Sequence, residues 1–393
     1  VDAKTRDRAR LHLLDWLGCV AGARAGEVAK RLRDNPRAYG FLGNVLEMDD
    51  VHREAVLHPG AVVWTTMLML SHGNSLTQCI ESAVRGYEAM IGVGATFDAR
   101  HYGNWHPTAT AGVFGSAAVG ASSLGLNAEA TMWALGNVGS VAGGLWHMRH
   151  DQVMTKQWHL DHAIRTGVNA AWNAKDSLTG PRFILEGPQG LYAATCKTPK
   201  PMGFPKRWRI WDVSFKPWGA CRHAHPAIDA ALELQELLGK LDGEILVETY
   251  ADAIAFCDNP DPKTPSQAKF SLQHAVAVVA TSGVPMLVDF EPAAIKKLAK
   301  ARALVTVREC KDITARYPQH YGARVVCSQQ TVELIDTLGD PERPMSEGQI
   351  IDKARALMAW GGLSNKQADK AVKLALEGDD PAAIHKMLGK WLA

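Results

Sequence analysis

The stretch that decides the fold is Ala109-Thr-Ala-Gly-Val-Phe-Gly-Ser-Ala-Ala-Val-Gly-Ala-Ser-Ser-Leu124, in which almost every side chain is small. Small side chains let two helices approach closely, so this run predicts a central helix of a helical body. Similar small-residue runs follow at residues 128–144 and 163–174. Because the alternation typical of strands is absent from this region, the sequence predicts a mainly α fold.

The character of the chain changes near Lys200, where Lys-Pro-Met-Gly-Phe-Pro-Lys is typical of a linker. Beyond it, predicted strands at residues 244–255, 303–308 and 324–334 alternate with predicted helices at 226–238 and 270–280. A break at residues 339–344 precedes a return to helical patterns. We therefore expect a discontinuous all-helical domain (residues 1–205 and 341–393) with an inserted, smaller α+β lid domain (206–340), and a site in the cleft between them.

The overall composition excludes several classes of function. The 393 residues carry a net charge of +2, so no strong field attracts nucleic acid or a membrane surface. The chain has no uninterrupted apolar run of about 18 residues, so no membrane span is expected. The seven cysteines are scattered without a C-x-x-C pair, which favours reduced thiols and a cytoplasmic protein.

His106 is the first candidate for chemistry, because it precedes Pro107 at the start of the central small-residue run. A residue before proline is held in an extended conformation. The near-neutral titration of imidazole suits proton transfer. A core histidine that is hydrogen-bonded locally fits the same pattern about equally well.

Two further groups of residues carry positive charge. Lys156 and His159 lie three apart and so share one helical face, where a lysine can anchor a carboxylate. The run Phe215-Lys-Pro-Trp-Gly-Ala-Cys-Arg-His-Ala-His-Pro226 places Lys216 and Arg222 in a short loop. We interpret this run as a cationic loop that closes over an acidic substrate. A metal site is not predicted, because one loop rarely supplies a full set of ligands.

An acid-rich turn between helices contains Asp49 and Asp50, followed by His58 at a Pro-Gly break. On these residues alone, helix capping and solvation explain the turn better than catalysis does. The sequence also lacks G-x-G-x-x-G, P-loop, G-x-S-x-G and H-E-x-x-H motifs. Nucleotide-dependent, serine-hydrolase and metallohydrolase functions therefore lose their usual support.

Taken together, ordered motifs along nearly the whole chain resemble the MmgE/PrpD family, which includes 2-methylcitrate dehydratase, cis-aconitate decarboxylase and iminodisuccinate epimerase. The resemblance rests on these segments in order: Leu14–Gly22, Gly43–Gly60, Gly86-Tyr-Glu88, Trp105–Gly112, Lys156-Gln-Trp-His159, Thr179-Gly-Pro181, Lys216–His225, Lys269–His274 and Gly339-Asp-Pro341.

That resemblance implies a helical body with an inserted lid, a homodimer, and no required metal or organic cofactor. Carried over by position, Asp50, His58 and His106 match catalytic positions of the family, and Lys156 and Lys216 match its lysines. His274 occupies a further catalytic position, which is tyrosine in some members. That departure bears on which group acts as acid and which as base. His159 and Arg222 complete the predicted substrate-binding set.

The function implied is a lyase acting on a small di- or tricarboxylate, most closely a 2-methylcitrate dehydratase-like hydro-lyase that abstracts a proton beside a carboxylate. Cations must neutralise the enolate-like charge that develops, and a base of near-neutral pKa must take the proton. Epimerisation of an iminodisuccinate-like substrate and cis-aconitate-type decarboxylation fit the same residues. A carboxylate-binding protein without catalysis is the alternative from another class, although a binder has little use for the acid/base set.

Overall fold

The computed structural model describes residues 1–32, 38–151 and 153–392. The chain forms two compact units, the first made of Val1–Val213 with Ser346–Ala393 and the second of Ser214–Met345. The predicted mainly α character is confirmed, since strands are few and short beside the helices. The role of the second unit as a lid stays a prediction. The described helices include none that is both long enough and apolar enough to cross a membrane.

Helices and strands are numbered here in chain order. The first unit contains helices α1 (Ala3–Ala23), α2 (Glu27–Arg31), α3 (Ala38–Val45), α4 (Gly60–Met69), α5 (Leu76–Gly94), α6 (Ala99–Asn104), α7 (Pro107–Ser123), α8 (Ala128–Gly139), α9 (Thr155–Lys175), α10 (Leu191–Thr195), α18 (Glu347–Trp360), α19 (Asn365–Glu377) and α20 (Pro381–Leu392). It also contains strand β1 (Val51–His52), and strand β2 (Val213–Ser214) lies at the boundary.

Helix α7 is the small-residue run, and it is buried along almost its whole length as the sequence predicts. It packs against α5 on one side and α9 on another. Its Ser116 hydroxyl donates to the carbonyl oxygen of Ile164 on α9 at 2.8 Å. A side chain this short lets the two backbones approach closely, which is why the composition of the run decides its position.

Helix α1 packs against α18, so the two ends of the chain share one core. The contact depends on Gly18, because a Cβ atom at that position would lie 3.0 Å from Cα of Ala354. The side chain of Asp2 caps α1 by accepting from the Thr5 N–H at 3.0 Å. Leu13, Leu14 and Leu17 are fully buried, which matches the helical spacing of apolar residues in the sequence.

The second unit contains helices α11 (His225–Leu238), α12 (Ala251–Cys257), α13 (Pro265–Lys269), α14 (Leu272–Ser282), α15 (Pro292–Lys297), α16 (Ala299–Arg302) and α17 (Lys311–Thr314), with strands β3 (Ile245–Thr249), β4 (Val305–Glu309), β5 (Ala323–Cys327) and β6 (Gln330–Leu334). The sheet order is β4-β3-β5-β6. β3 is parallel to β4 and antiparallel to β5, and β5 is antiparallel to β6. Helices α11 and α14 pack on this sheet around a separate apolar core.

The structure corrects two predicted strands. The segment 244–255 was expected to be one strand, but β3 ends at Thr249 and α12 begins at Ala251. The segment 324–334 is a hairpin of β5 and β6, in which Ser328 (φ 49°) and Gln329 (φ 64°) form the turn. Two consecutive left-handed residues suit a tight hairpin, but neither is glycine, asparagine or aspartate, so the usual turn signal was missing.

All seven cysteines lie within the described residues, and no disulfide joins any two of them. Six of them are buried, and Cys310 is half-buried. Burial raises the pKa of Cys79 to about 11, so this thiol stays protonated near neutral pH. Cys79 and Cys196 belong to the apolar core of the first unit, and the Cys327 thiol in the second unit also donates to the carbonyl of Asp242 at 3.3 Å.

Candidate active site

His106 caps the N-terminus of α7, the place that its position before Pro107 predicts. The backbone N–H of His106 donates to the carbonyl of Gly144 at 2.8 Å. Gly144 has a φ of +103°, and a Cβ atom there would lie 2.5 Å from that of Ala109 on α7. Glycine is therefore required at 144 for this segment to reach and hold the histidine.

His106 and His159 form a buried pair, with their two Nδ1 atoms 3.2 Å apart. A hydrogen bond between two such nitrogens needs one donor and one acceptor, so the pair holds one proton at these atoms. Burial, with the nearby charges of Lys156, His159 and His58, lowers the pKa of His106 well below 6.5. Burial also lowers the pKa of His159 to about 4. Both imidazoles are therefore neutral near pH 7, the form that can accept a proton.

The ring of Trp146 packs against the ring of His106, with the centroids 4.6 Å apart. Trp146 begins a short 3₁₀ helix, Trp146–His150, that precedes α9. The guanidinium of Arg149 lies over the Trp146 ring, 5.0 Å from its centre. An aromatic wall of this kind shields the histidine from water, which strengthens electrostatic effects beside it.

Lys156, in the first turn of α9, forms an ion pair with Glu47. Glu47 is a residue that sequence reasoning missed, although it stands in the same Glu-Met-Asp-Asp run. Its backbone has a φ of +58°, which is unusual for a residue with a long side chain. Strain of this kind often accompanies a functional requirement, because the surrounding structure must stabilise the conformation. The lysine predicted to bind a carboxylate thus already contacts one.

His58 is held beside two acidic residues of the turn. Its Nδ1 lies 3.0 Å from the carbonyl oxygen of Asp50 and 3.4 Å from Oδ2 of Asp49. Two acceptors facing Nδ1 place a hydrogen there, so Nε2 carries the lone pair in the neutral ring. The backbone N–H of His58 donates to Oγ1 of Thr108 at 3.0 Å, two residues after His106. The turn is thereby tied to the start of α7.

Asp49 was expected only as a neighbour of Asp50, yet it is the carboxylate that faces His58. Asn44 donates from Nδ2 to Oδ2 of Asp49 at 2.8 Å, and Gln157 contacts Asn44 at 3.5 Å. This chain of amides links the carboxylate of Asp49 to α9 beside Lys156. The signal in the sequence was the pair of adjacent aspartates, which could not tell the two apart.

Asp50 is buried in a different network. Its Oδ2 accepts from the hydroxyl of Tyr87 at 2.6 Å and lies 2.8 Å from Nδ1 of His12, while its Oδ1 accepts from the Gly60 N–H at 2.8 Å. Burial alone raises the pKa of Asp50, but these hydrogen bonds hold it below its usual value. Burial lowers the pKa of His12 to about 4, so the His12 contact is a hydrogen bond rather than an ion pair near neutral pH.

The remaining predicted residues lie in the second unit. Lys216 is fully buried, directly after Phe215, whose N–H donates to the Gly339 carbonyl at 3.2 Å. Arg222 pairs with Asp340 at 2.5 Å and donates to the Leu338 carbonyl at 3.2 Å. The run 338–340 is therefore a structural partner of the predicted cationic loop.

His274 lies in the first turn of α14, also in the second unit. Its Nε2 lies 2.8 Å from the carbonyl of Asp289, and its Nδ1 lies 3.3 Å from Nη1 of Arg302. Nε2 therefore carries hydrogen and Nδ1 accepts from the guanidinium. Burial is the main reason that the pKa of His274 is lowered.

The structure thus brings together His58, His106, Lys156 and His159 within the first unit, with Glu47 and Asp49 added and Asp50 in the adjoining buried network. Elsewhere, among the described residues, His320, Asp336 and Glu342 place metal-ligand atoms within 4.8 Å of one another. Nδ1 of His320 and Oδ1 of Asp336 are 2.7 Å apart, a distance that a hydrogen bond explains. This group contains none of the residues predicted from the sequence.

Two family models match the chain in sequence order. The MmgE/PrpD N-terminal domain matches residues 37–202, and the MmgE/PrpD C-terminal domain matches residues 218–378. The chain belongs to the MmgE/PrpD family. The resemblance inferred from the ordered motifs is therefore confirmed.

Two relatives of this MmgE/PrpD protein carry names that describe an activity. The cis-aconitate decarboxylase of Homo sapiens is 26% identical in an alignment of 282 positions that covers 65% of this chain and 57% of the human protein. The cis-aconitate decarboxylase-like protein oryM of Aspergillus oryzae is 25% identical in an alignment of 427 positions, gaps included, that covers 91% of this chain and 87% of that protein. The chain spans less than two thirds of the length of the human relative.

Proposed function

We propose that this MmgE/PrpD protein is a lyase that acts on a small di- or tricarboxylate by removing a proton beside a carboxylate, most closely as a hydro-lyase of the 2-methylcitrate dehydratase type. The observation that carries the proposal is the grouping of two neutral imidazoles, His106 and His159, with a lysine. This chemistry requires a cation for the carboxylate and a base that is neutral before the proton is removed, and the negative charge of a substrate bound beside His106 raises the pKa of its imidazole toward the near-neutral range that suits a base.

In the proposed reaction, His106 accepts the proton from the carbon beside the substrate carboxylate. His159 shares a hydrogen bond with it, so His159 orients the ring and responds to the charge that His106 gains. Lys156 neutralises the carboxylate on which charge develops, in exchange for its contact with Glu47. The aromatic wall of Trp146 keeps water from the reacting atoms.

Loss of a hydroxyl also needs a proton donor, and we assign this role to His58. The carboxylate of Asp49 lies 3.4 Å from its ring, and a carboxylate at this distance stabilises an imidazolium. Around His106, by contrast, the charges named as lowering its pKa after burial are those of Lys156 and of neighbouring histidines. Two histidines in opposite electrostatic environments form an acid/base pair, the pattern expected of a dehydratase.

The contacts of Asp50 and His274 favour supporting roles over direct proton transfer. Asp50 is engaged by three donors in a buried network, and both ring nitrogens of His274 are engaged within the second unit. Lys216 and Arg222 remain predicted to bind substrate carboxylates.

Decarboxylation is the second candidate, because both named relatives are described as cis-aconitate decarboxylase or like it. That reaction needs a cation near the retained carboxylates and one group that protonates the carbon after carbon dioxide leaves. The same His58, His106 and Lys156 would serve. Epimerisation would require two proton-transfer groups on opposite faces of the carbon.

Proton NMR in D2O tests these reactions on one EDTA-treated sample. The panel contains 2-methylcitrate, citrate, cis-aconitate and iminodisuccinate. New vinylic signals from a hydroxy acid are expected for the dehydratase. Itaconate-like methylene signals would instead establish decarboxylation, and deuterium incorporation without a new skeleton would establish epimerisation. Binding of a polycarboxylate by calorimetry with no chemical change of any kind would contradict the proposal and favour a binding protein.

A further inference from the structure

Lys353 on α18 contacts the acidic turn, which we define as residues 47–52. Its Nζ donates to the carbonyl oxygen of Met48 at 2.6 Å. The same Nζ lies 2.5 Å from Oδ1 of Asp15 on α1. Lys353 is only 8% exposed, so this ammonium is held almost out of water. One side chain thus joins three segments that are far apart in sequence.

A buried ammonium is a costly way to pack two helices together. Removing a charge from water is unfavourable, and its attraction to one carboxylate often only offsets that cost. An apolar side chain of similar size would pack α18 against α1 at least as well. The contact with the Met48 carbonyl is what an apolar side chain cannot supply, so the lysine is best explained by the position it imposes on the turn.

The Met48 carbonyl belongs to the peptide group that joins Met48 to Asp49. Because a peptide group is planar, fixing its oxygen also fixes the direction in which the chain enters Asp49. On the other side, Glu47 has a φ of +58°, a conformation that needs support from its surroundings. The anchored peptide therefore lies between the carboxylate that contacts Lys156 and the carboxylate that contacts His58.

We propose that Lys353 is a positioning residue for the site: by holding the Met48 carbonyl, it places Glu47 and Asp49 against Lys156 and His58. This inference rests on the proposed function, in which Asp49 supports His58 as the proton donor and Glu47 holds Lys156 in place until the substrate carboxylate replaces it. It also gives the C-terminal helices a part in the chemistry, although α18 contributes none of the proposed acid/base groups.

Two variants compared with each other separate the ion pair of Lys353 with Asp15 from the hydrogen bond of Lys353 to the Met48 carbonyl. In Asp15→Asn, the lysine loses its carboxylate but still donates to Met48. In Asp15→Asn/Lys353→Met, both charges are gone and the anchor is lost, with no buried ion left unpaired. We expect the double variant to lose at least tenfold in kcat relative to Asp15→Asn, with KM changed less than threefold. Lys353→Arg, which keeps a donor and a charge, is expected to retain more activity than Lys353→Met.

Hydrogen exchange measured by mass spectrometry gives a readout that does not depend on turnover. Peptides that cover residues 44–60 are expected to exchange faster in the double variant than in Asp15→Asn, while peptides from α5 exchange alike. Equal kcat and equal exchange in the two variants would overturn the proposal. If the wild-type protein converts no polycarboxylate, the proposed function fails, and the exchange data still decide whether Lys353 positions the turn.

Discussion

Nδ1 of His106 lies 3.2 Å from Nδ1 of His159, so two neutral imidazoles share a single hydrogen bond at the start of α7. If His106 is the proton acceptor, His106→Ala will lower kcat by about 10²- to 10⁴-fold, the usual contribution of a general base. We expect the melting temperature to change little in comparison. The measurement is steady-state kinetics on the substrate found by NMR, beside thermal unfolding of the same samples.

His159→Gln provides the matched variant, because its amide oxygen can still accept a hydrogen bond from Nδ1–H of His106 but the amide cannot gain a proton. We expect a smaller loss of kcat than in His106→Ala. A folded His106→Ala protein with the wild-type turnover number would exclude His106 as the base.

Because Lys156 and Glu47 form an ion pair, substituting one or the other is expected to change the affinity for an anionic substrate in opposite directions. Lys156→Met removes a charge-assisted hydrogen bond worth about 1.5–3 kcal/mol, so we expect at least tenfold weaker binding of citrate or the true substrate. Glu47→Gln removes the competing negative charge and is expected to tighten binding of the same anion. Isothermal titration calorimetry measures both, with Lys175→Met on the exposed end of α9 as control. Equal affinities in all three variants would contradict the assignment of Lys156.

Substitution of Asp50 is expected to lower mainly the stability of the fold, and substitution of Asp49 is expected to lower mainly kcat. Asp50→Asn disturbs a buried carboxylate with three donors, so it should lower the free energy of unfolding by about 3 kcal/mol. Asp49→Asn keeps an oxygen beside Asn44 and removes the charge near His58. We therefore expect it to lower kcat with a smaller effect on stability. Urea unfolding and kinetics of both variants check this, and a reversed order of the two stability losses would refute it.

Because several histidines are buried in the neutral form, we expect the protein to lose stability in mild acid. Burial lowers the pKa of His101 to about 4, below the ordinary 6.5. Between pH 6.5 and pH 4 the unfolded chain binds a proton at this histidine and the folded chain does not. The free energy of unfolding therefore falls as the pH is lowered from 6.5 toward 4. Each such histidine changes the free energy of unfolding by up to about 1.4 kcal/mol per pH unit. Asp15, whose pKa is raised to about 6 by burial, acts in the opposite direction below pH 6.

His101→Phe isolates one of these groups, since the ring of His101 already stacks on Phe97 with centroids 3.7 Å apart. We expect its free energy of unfolding to fall less steeply between pH 6.5 and 4.5 than in the wild-type protein. His147→Phe, at an exposed position of the 3₁₀ helix, is the control. Identical slopes for His101→Phe and the wild-type protein would show that this histidine does not drive acid unfolding.

We predict that exposed apolar side chains on the first unit form the interface of the homodimer that the family resemblance implies. Trp172 on α9 is 43% exposed and Phe183 is 63% exposed, while α9 also presents Trp158 at 49%. Large exposed aromatic groups are typical of interfaces. We predict a dimer by light scattering, converted toward monomer by Trp172→Asp with Phe183→Asp. Leu237→Asp, an exposed apolar position on the second unit, should leave the dimer intact. A wild-type protein that is monomeric at high concentration would contradict this prediction.

Much of the first unit could be predicted because its signals are local. The small-residue run gave α7, the His-Pro pair gave its N-cap, and the spacing of Lys156 and His159 placed both on α9. Each of these depends on residues a few positions apart. The same is true of α11, which was expected at 226–238 and begins at His225.

The site residues that were missed depend on contacts between distant segments. Lys156 meets Glu47 across more than 100 positions, and His12 meets Asp50 across 38. Nothing local distinguishes Asp49 from Asp50, since burial and the direction of each side chain decide their roles. Sequence patterns located the acidic turn, but only the packing of α1, α5 and α9 around it assigns its members.

The close contact of Gly18 with Ala354, and of Lys353 with the acidic turn, has a consequence for how the protein is made. The acidic turn is synthesised before α18, because Met48 and Lys353 are 305 positions apart in the sequence. A nascent chain can therefore form α7 and its histidine pair while the peptide at Met48 still lacks its anchor. The Met48 carbonyl gains its anchor only once α18 has been made, so a chain that stops before α18 lacks both the proposed positioning contact and the packing partner of α1.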